Sequence, residues 1–415
     1  MEHPSAIQQD NRLGTGGPKV PVTQLFIAFL RLGLTAFGGP AMVVYIRELA
    51  VEKHHWLSND DFCDGVTLCQ SIPGATAMQS AAYAGLRAAG PLGAAAAYLG
   101  FMLPALVLMI VLAAVYQWTH DVRTVVSLFR GLHLVVVALV ANATLNFGRN
   151  TLRNWRDCIP ATIAAAALLL HGSPALVILA AAVLGLILHR WAETEAERAP
   201  TSPLPSKEEE RSGEAVHRAS RRMLIVAAVI VLVAAAGLAA LFVFDRKLFN
   251  IGLVMVKVDA LGFGGGFASV PLMLHEVVDV RGWMDERVFI DGIALGQVTP
   301  GPIAITAAFV GYQLAGPAGA LVATAGIFTT SFVMVLATVP WFDRLRRSRV
   351  FRRALRGVLA SFVGLLLAVT VQFSLSASWS VAGVLLAAGA FTALRLKVDI
   401  LWVVLVGAGI SVFLL

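Results

Sequence analysis

Continuous apolar runs dominate the chain, and polar residues punctuate them without alternating. Runs such as Leu92–Gln117 and Met223–Phe244 reach the ~20 residues that a helix needs to cross a bilayer. The ~10-residue alternation of an outer-membrane barrel is missing. Apolar runs near 21–46, 62–86, 92–117, 125–147, 159–170 and 173–188 predict six helical elements. A polar stretch rich in Pro, Ser and Glu follows at 189–222 and reads as a solvated linker. One more apolar helix, 223–244, precedes six further runs near 248–273, 289–312, 318–341, 351–374, 377–394 and 398–414. The pattern predicts an all-α polytopic membrane protein with about 12–13 transmembrane or half-membrane helices.

The two sets of six are copies. "WLSNDDFCDGVTLCQSIPG" (Trp56–Gly74) and "WMDERVFIDGIALGQVTPG" (Trp283–Gly301) share Trp, Phe, Asp, Gly, Leu, Gln, Pro and Gly in register. "AAGPLGA" and "LAGPAGA" repeat the match further on. The expected domains are a polar cytoplasmic N-terminus (1–20), a first repeat (21–188), the linker (189–222), a connecting helix (223–244) and a second repeat (245–415). An even number of crossings per repeat plus one connecting helix inverts the second copy. Loop charge agrees, because cytoplasmic loops are rich in Lys and Arg. Between the third and fourth elements the second copy carries an arginine cluster from Arg344 to Arg356, where the first copy has Arg123 and Arg130. Between the fourth and fifth, the first copy has Arg149, Arg153 and Arg156, and the second has none. The N-terminus and linker are therefore expected inside and the C-terminus outside.

Composition adds exclusions. The chain is 58% hydrophobic and 14% charged, so any function must lie within the membrane. The net charge of +7 follows the cytoplasmic loops, and no basic–aromatic interleaving suggests nucleic acid. Cys63, Cys69 and Cys158 form no metal-binding set, and no cofactor is expected. GxSxG, HExxH and Walker motifs are absent, which argues against an enzyme or an ATP-driven pump. The first twenty residues are polar, so no cleavable leader is expected.

Each repeat is broken twice at matching positions. The first break is Phe37-Gly38-Gly39-Pro40 in one copy and Phe263-Gly264-Gly265-Gly266 in the other. The second is Pro73-Gly74-Ala75 against Pro300-Gly301-Pro302. Inverted repeats with matched broken helices mark the binding sites of secondary transporters. A restarted helix offers unpaired N–H groups to an anion. A simple kink or close glycine packing is the alternative. Arg31 and Lys257 are matched cations six residues before the phenylalanines, suited to a dianion; each could instead snorkel or pair with a neighbour such as Asp259. Gln70 and Gln297 are matched amides that could face an oxyanion or join helices. Asp64 and Asp291 are matched carboxylates, either proton carriers or structural partners. Arg130 and Arg356 read as snorkelling, His133 as structural without an acidic neighbour in sequence, and Asn142 and Asn146 as interhelical bonders.

At these residues the chain resembles the chromate ion transporter family in its long, two-domain form: FGGP then FGGG, "HHWL" and "RGWM", and the Gln70–Ala75 and Gln297–Pro302 stretches. It departs at Ala75, and at Thr329-Thr330 where a counterpart of Leu103-Pro104 would stand. The resemblance implies a plasma-membrane exporter of chromate conferring resistance. Its expected partners are chromate, related oxyanions such as sulfate, and the lipid bilayer, with a homodimer as a compatible assembly. A sulfate-type permease and a passive anion channel are the competing readings.

Overall fold

The computed structural model describes residues 20–37, 42–190 and 207–414. Three members of the first break, Gly38, Gly39 and Pro40, lie outside the described residues, as do most of the N-terminal segment and 191–206 of the linker. The described backbone is helical apart from loops and one isolated bridge between Pro73 and Phe263.

In the first repeat, α1 (Val22–Thr35) and α2 (Met42–Arg47, continued by a π turn over Glu48–Lys53) flank the first break. Next come α3 (Asn59–Ser71) and α4 (Thr76–Thr119). α4 reverses at Ala89 and Gly90, where Gly90 takes φ 71°. Past that turn its two arms lie side by side: a Cβ on Gly85 would sit 2.2 Å from the Gly93 carbonyl, so only glycine fits. The short arm, 76–88, also folds back on α3. Arg87 pairs with Asp61 at 2.8 Å, and Gly65 lies under the Tyr83 ring. The second apolar run therefore enters and leaves on one side, and does not cross. At 14 and 13 residues, α1 and α3 span about 20 Å each, short of a ~30 Å hydrocarbon core. The long arm of α4 and α5 (Arg123–Thr151) are the first full crossings, followed by α6 (Trp155–Leu169) and α7 (Pro174–Leu188).

α8 (Lys207–Phe244) connects the halves; its helix begins inside the stretch that reads as linker. Its apolar part, Arg221–Phe244, is almost wholly exposed, as a lipid-facing helix must be. The second repeat then recurs: α9 (Arg246–Leu261), α10 (Ser269–Leu274) with its own π turn (His275–Val280), α11 (Glu286–Val298), α12 (Thr306–Thr338, reversing at Gly316), α13 (Phe342–Arg347), α14 (Arg349–Ser376), α15 (Val381–Arg395) and α16 (Ile400–Leu414). Lys257 facing Glu276 closes its first hairpin, and Gly292 under the Phe309 ring closes its second.

The repeats meet as inverted copies. Tyr98 Oη donates to the Phe328 carbonyl at 2.6 Å, while Ala113 accepts at 3.5 Å from Gln313 Nε2, on the short arm of α12 that folds back beside the start of its long arm, so the long arms of α4 and α12 run antiparallel. Thr144 and Thr370, 226 positions apart and equivalent in the duplication, touch at 3.2 Å between α5 and α14. Equivalent helices that lie antiparallel require a pseudo-two-fold axis in the membrane plane. The last two helices of each repeat cross over to the other: Gly185 and Gly357 pack α7 on α14, and Ser411 packs α16 on Gly131 of α5.

One charged cluster fixes which loops share an end. Asp157 is fully buried at the start of α6 and accepts from Arg356 through both Nε and a second guanidinium nitrogen at 2.9 Å. His189, at the end of α7, sits 2.9 Å from the same carboxylate. The loop before α6, the start of the linker and the arginine-rich loop before α14 are thus together, as the charge bias requires. Arg356 is an anchor between repeats, which corrects its reading as a snorkelling residue: a buried carboxylate needs a paired cation.

Candidate oxyanion site at the four breaks

The four breaks converge. Gly74, at the tip of the first repeat's second hairpin, has φ 119° and donates its N–H to the Gly262 carbonyl at 2.9 Å. Gly301, its equivalent, has φ 126° and donates to the Ala36 carbonyl at 3.1 Å. Gly262 and Ala36 each precede the phenylalanine of a first break. Each second-break tip is thus sewn to the first break of the opposite repeat. Gly264 (φ 101°) and Gly265 (φ 98°) continue the loop past Phe147 and Thr76, and Gly266 lies against Ile303 of the second tip. Only glycine takes such backbone angles without strain.

Helices restart at this point. α4 begins at Thr76 after Ala75, which gives no side-chain cap, and the first amide to find a backbone acceptor there is that of Gln79. α12 restarts after Pro302 and a short 3-10 turn, Ile303–Ile305, also without a side-chain cap. An uncapped helix start leaves N–H groups and a positive dipole end available to an anion. Pro73, Gly74 and Ala75 are buried, whereas Thr76 and Gly264–Gly266 are partly exposed, so the junction opens beside them.

The repeats differ at this junction, and the difference explains the Ala75 departure. The Ala75 N–H donates to Ser331 Oγ at 2.9 Å, and Ser331 donates to Asp259 Oδ2 at 2.8 Å. On the other side Pro302 has no N–H, Ala105 stands against Gly301, and Gly33 packs on the Phe101 carbonyl. Gln79, wholly buried, donates through Nε2 to the Pro73 carbonyl at 2.6 Å.

The remaining residues from the sequence reading scatter. Arg31 lies exposed on α1 and makes no ion pair with a described residue. Lys257 sits 2.5 Å from Glu276, which also binds Arg281, and lines a small cavity with His275, Leu261 and Leu272. Asp259 is not its partner. Gln70 is exposed; Gln297 is buried one turn before Pro300, and its Nε2 has no hydrogen-bond partner among the described residues. Asp64 is exposed and pairs with Arg346 at 3.0 Å. Asp291 is buried, accepting from Tyr116 Oη at 2.7 Å and facing His133 Nε2 at 2.6 Å. His133 therefore has an acidic partner, from the other repeat, that sequence proximity hid. Asn146 Oδ1 accepts from Arg395 across helices at 3.0 Å. In the loop before α3, His54 stacks on Trp56 with rings 4.5 Å apart; burial and Lys53 hold its pKa below the ordinary histidine value.

Comparison with known proteins decides the family. The chromate transporter family matches twice, over residues 23–186 and 249–412. The chain belongs to the chromate transporter family. Among relatives of this family member, an uncharacterized transporter of Methanocaldococcus jannaschii is 39% identical, covering 92% of this chain and 91% of its own. A chromate transport protein of Pseudomonas aeruginosa is 32% identical over 86% of this chain and 82% of its own, and one of Cupriavidus metallidurans is 28% identical over 84% and 81%. No solved structure gives a significant match. The family member's break glycines and central helices fall inside both matched segments. Ser331 and Gln79 carry no mark in the sequence, and Asp259 stands out there only as a neighbour of Lys257, because Ala105, Thr306 and Gly33 replace them in the other copy.

Proposed function

We propose that this protein is a secondary transporter that exports chromate across the bacterial inner membrane and so confers chromate resistance. The observation that carries the reading is the reciprocal sewing of the four breaks, Gly74 to Gly262 and Gly301 to Ala36, around two uncapped helix starts. Relatives named as chromate transport proteins support chromate as the cargo. Gly38, Gly39, Pro40, Gly264, Gly265, Gly266, Pro73, Gly74, Pro300 and Gly301 form the cradle in this proposal. Gln297 offers it a buried donor, Gln70 a further amide donor, and Arg31 and Lys257 attract the anion from further out.

The driving force follows from charge. A dianion leaving an inside-negative cell gains about 4.6 kcal/mol per 100 mV, worth a gradient of roughly a thousandfold. Proton coupling at Asp64 or Asp291 is a second drive; burial and the His133 and Tyr116 contacts favour Asp291. In this reading the N-terminus is cytoplasmic and the C-terminus periplasmic.

Everted vesicles containing the protein test direction and substrate together. They should accumulate labelled chromate when energised inside-positive, with molybdate and sulfate as competitors. Uptake only into right-side-out vesicles would establish an importer instead, and large unitary currents would establish a channel. A reporter fused after Leu415 should read periplasmic and one in the 200–215 segment cytoplasmic.

A further inference from the structure

The junction holds a carboxylate that the anion reading does not use. Asp259 is 2% exposed, three residues before Gly262, and one serine away from the Gly74 tip. Among the described residues no cation contacts it. Lys257, on the same helix, is turned to Glu276, and His275 and Glu276 belong to the opposite arm of that hairpin. From α4, Tyr98 packs against Phe328 and Phe332 on the helix that carries Ser331, and its hydroxyl is committed to the Phe328 carbonyl. From α12 it meets Ser331, and α8 has no charged residue between Arg222 and Asp245.

An ionised carboxylate beside a dianion in a low-dielectric site is strongly repelled, and no cation here offsets the repulsion. We propose that Asp259 takes up one proton when a divalent oxyanion occupies the junction, which makes anion binding proton-linked. The inference rests on the junction being the anion site. The step adds one solvent proton to the carboxylate, giving a neutral carboxylic acid. Ser331 Oγ then accepts from both the Asp259 O–H and the Ala75 N–H, since a hydroxyl oxygen has two acceptor positions. Its own hydrogen is released from Asp259 and turns to the oxyanion. Ser331 is thus a positioning residue that converts the state of Asp259 into a donor at the tip. The other half, with Gly33 and Ala105 in these places, has no such device.

The test is calorimetric binding of chromate to purified full-length protein over about two pH units on the alkaline side of neutrality, where chromate stays divalent. Wild-type affinity should fall as pH rises, approaching tenfold per unit, with close to one proton taken up per chromate in buffers of different ionisation heat. Asp259→Asn should bind with a flat pH profile, while Asp121→Asn, a change in the exposed loop between α4 and α5, keeps the wild-type slope. Ser331→Ala should weaken binding about tenfold and keep the slope. Zero proton uptake by the wild type, an unchanged slope in Asp259→Asn, or a slope lost in Asp121→Asn would overturn the proposal without any variant needing more than a folded protein. If the Gly74→Ala variant binds chromate with wild-type strength, the junction is not the anion site, and the inference falls with it.

Discussion

Gly74→Ala is the sharpest perturbation of the junction. The residue holds φ 119°, and its new methyl would stand 2.2 Å from Ser331 Oγ and 2.6 Å from Gln79 Nε2. A non-glycine residue in such a conformation costs about 1–3 kcal/mol. Ser331 has to move away, leaving the buried Ala75 N–H without its acceptor, which costs about 1–3 kcal/mol more. The combined penalty of about 4 kcal/mol falls on the geometry that faces the anion, and corresponds to roughly a thousandfold if all of it is felt in transport. Two controls separate strain from site. Gly301→Ala has the same strained φ of 126° but meets only the Ala105 methyl, at 2.7 Å, so its loss should be smaller. Gly90→Ala has φ 71° and open space around it, at a turn away from the breaks, and should cost about 1–3 kcal/mol with little effect on rate. The assay is the initial rate of chromate accumulation in everted vesicles at matched abundance, read beside thermal unfolding of each purified variant. Wild-type rates in Gly74→Ala, or equal losses in all three variants, would refute the reasoning.

Neutralising Arg31 to Gln, or Lys257 to Gln, should slow chromate transport severalfold at unchanged abundance, with the Lys257 change made also alongside Glu276→Gln so that no carboxylate loses its partner; normal efflux in both would remove them from the anion's path. Arg356→Ala leaves the fully buried Asp157 with only His189 and backbone amides, and should lower stability by about 2–4 kcal/mol, seen as a depressed melting temperature that Asp157→Asn with Arg356→Gln partly restores. Thr144→Cys combined with Thr370→Cys should form a disulfide within one chain, because the two hydroxyls are 3.2 Å apart; failure to oxidise in a folded protein would contradict the antiparallel pairing of α5 and α14.

Much of this architecture was legible in the sequence because membrane burial leaves coarse marks. Apolar length located the crossings, duplicated motifs located the repeats, and arginine bias gave the inversion that the antiparallel Tyr98–Phe328 and Thr144–Thr370 contacts display. The break at Gly264–Gly266 was legible because three adjacent glycines interrupt an apolar helix pattern. Depth was not legible. Hydropathy counts apolar residues whichever way the chain runs, so 62–86 reads like a crossing although Arg87 returns to Asp61. Partners distant in sequence were hidden as well, which is why His133 seemed isolated from Asp291 and Arg356 from Asp157. Symmetry itself misled in one respect. Asp64 and Asp291 match in sequence, yet one faces solvent and Arg346 while the other is buried with Tyr116 and His133. The pair that differs most between the halves, Asp259 with Ser331 against Gly33 with Ala105, stands nearest the tips.

The balance between backbone and cation at the site also shifts. Lys257 is engaged with Glu276 and Arg31 lies exposed on α1, whereas both helix restarts lie beside tips that are sewn to the opposite repeat. Backbone N–H groups are therefore expected to hold the anion, with the cations attracting it from a distance. The most direct measurement is the position of chromium, located by its anomalous scattering in crystals of the protein grown with chromate. The account places it among Thr76, Gly264–Gly266 and Ile303, within hydrogen-bond reach of the helix starts; chromium bound instead at the Lys257–Glu276–Arg281 cluster, or on the exposed face of α1 at Arg31, would contradict it.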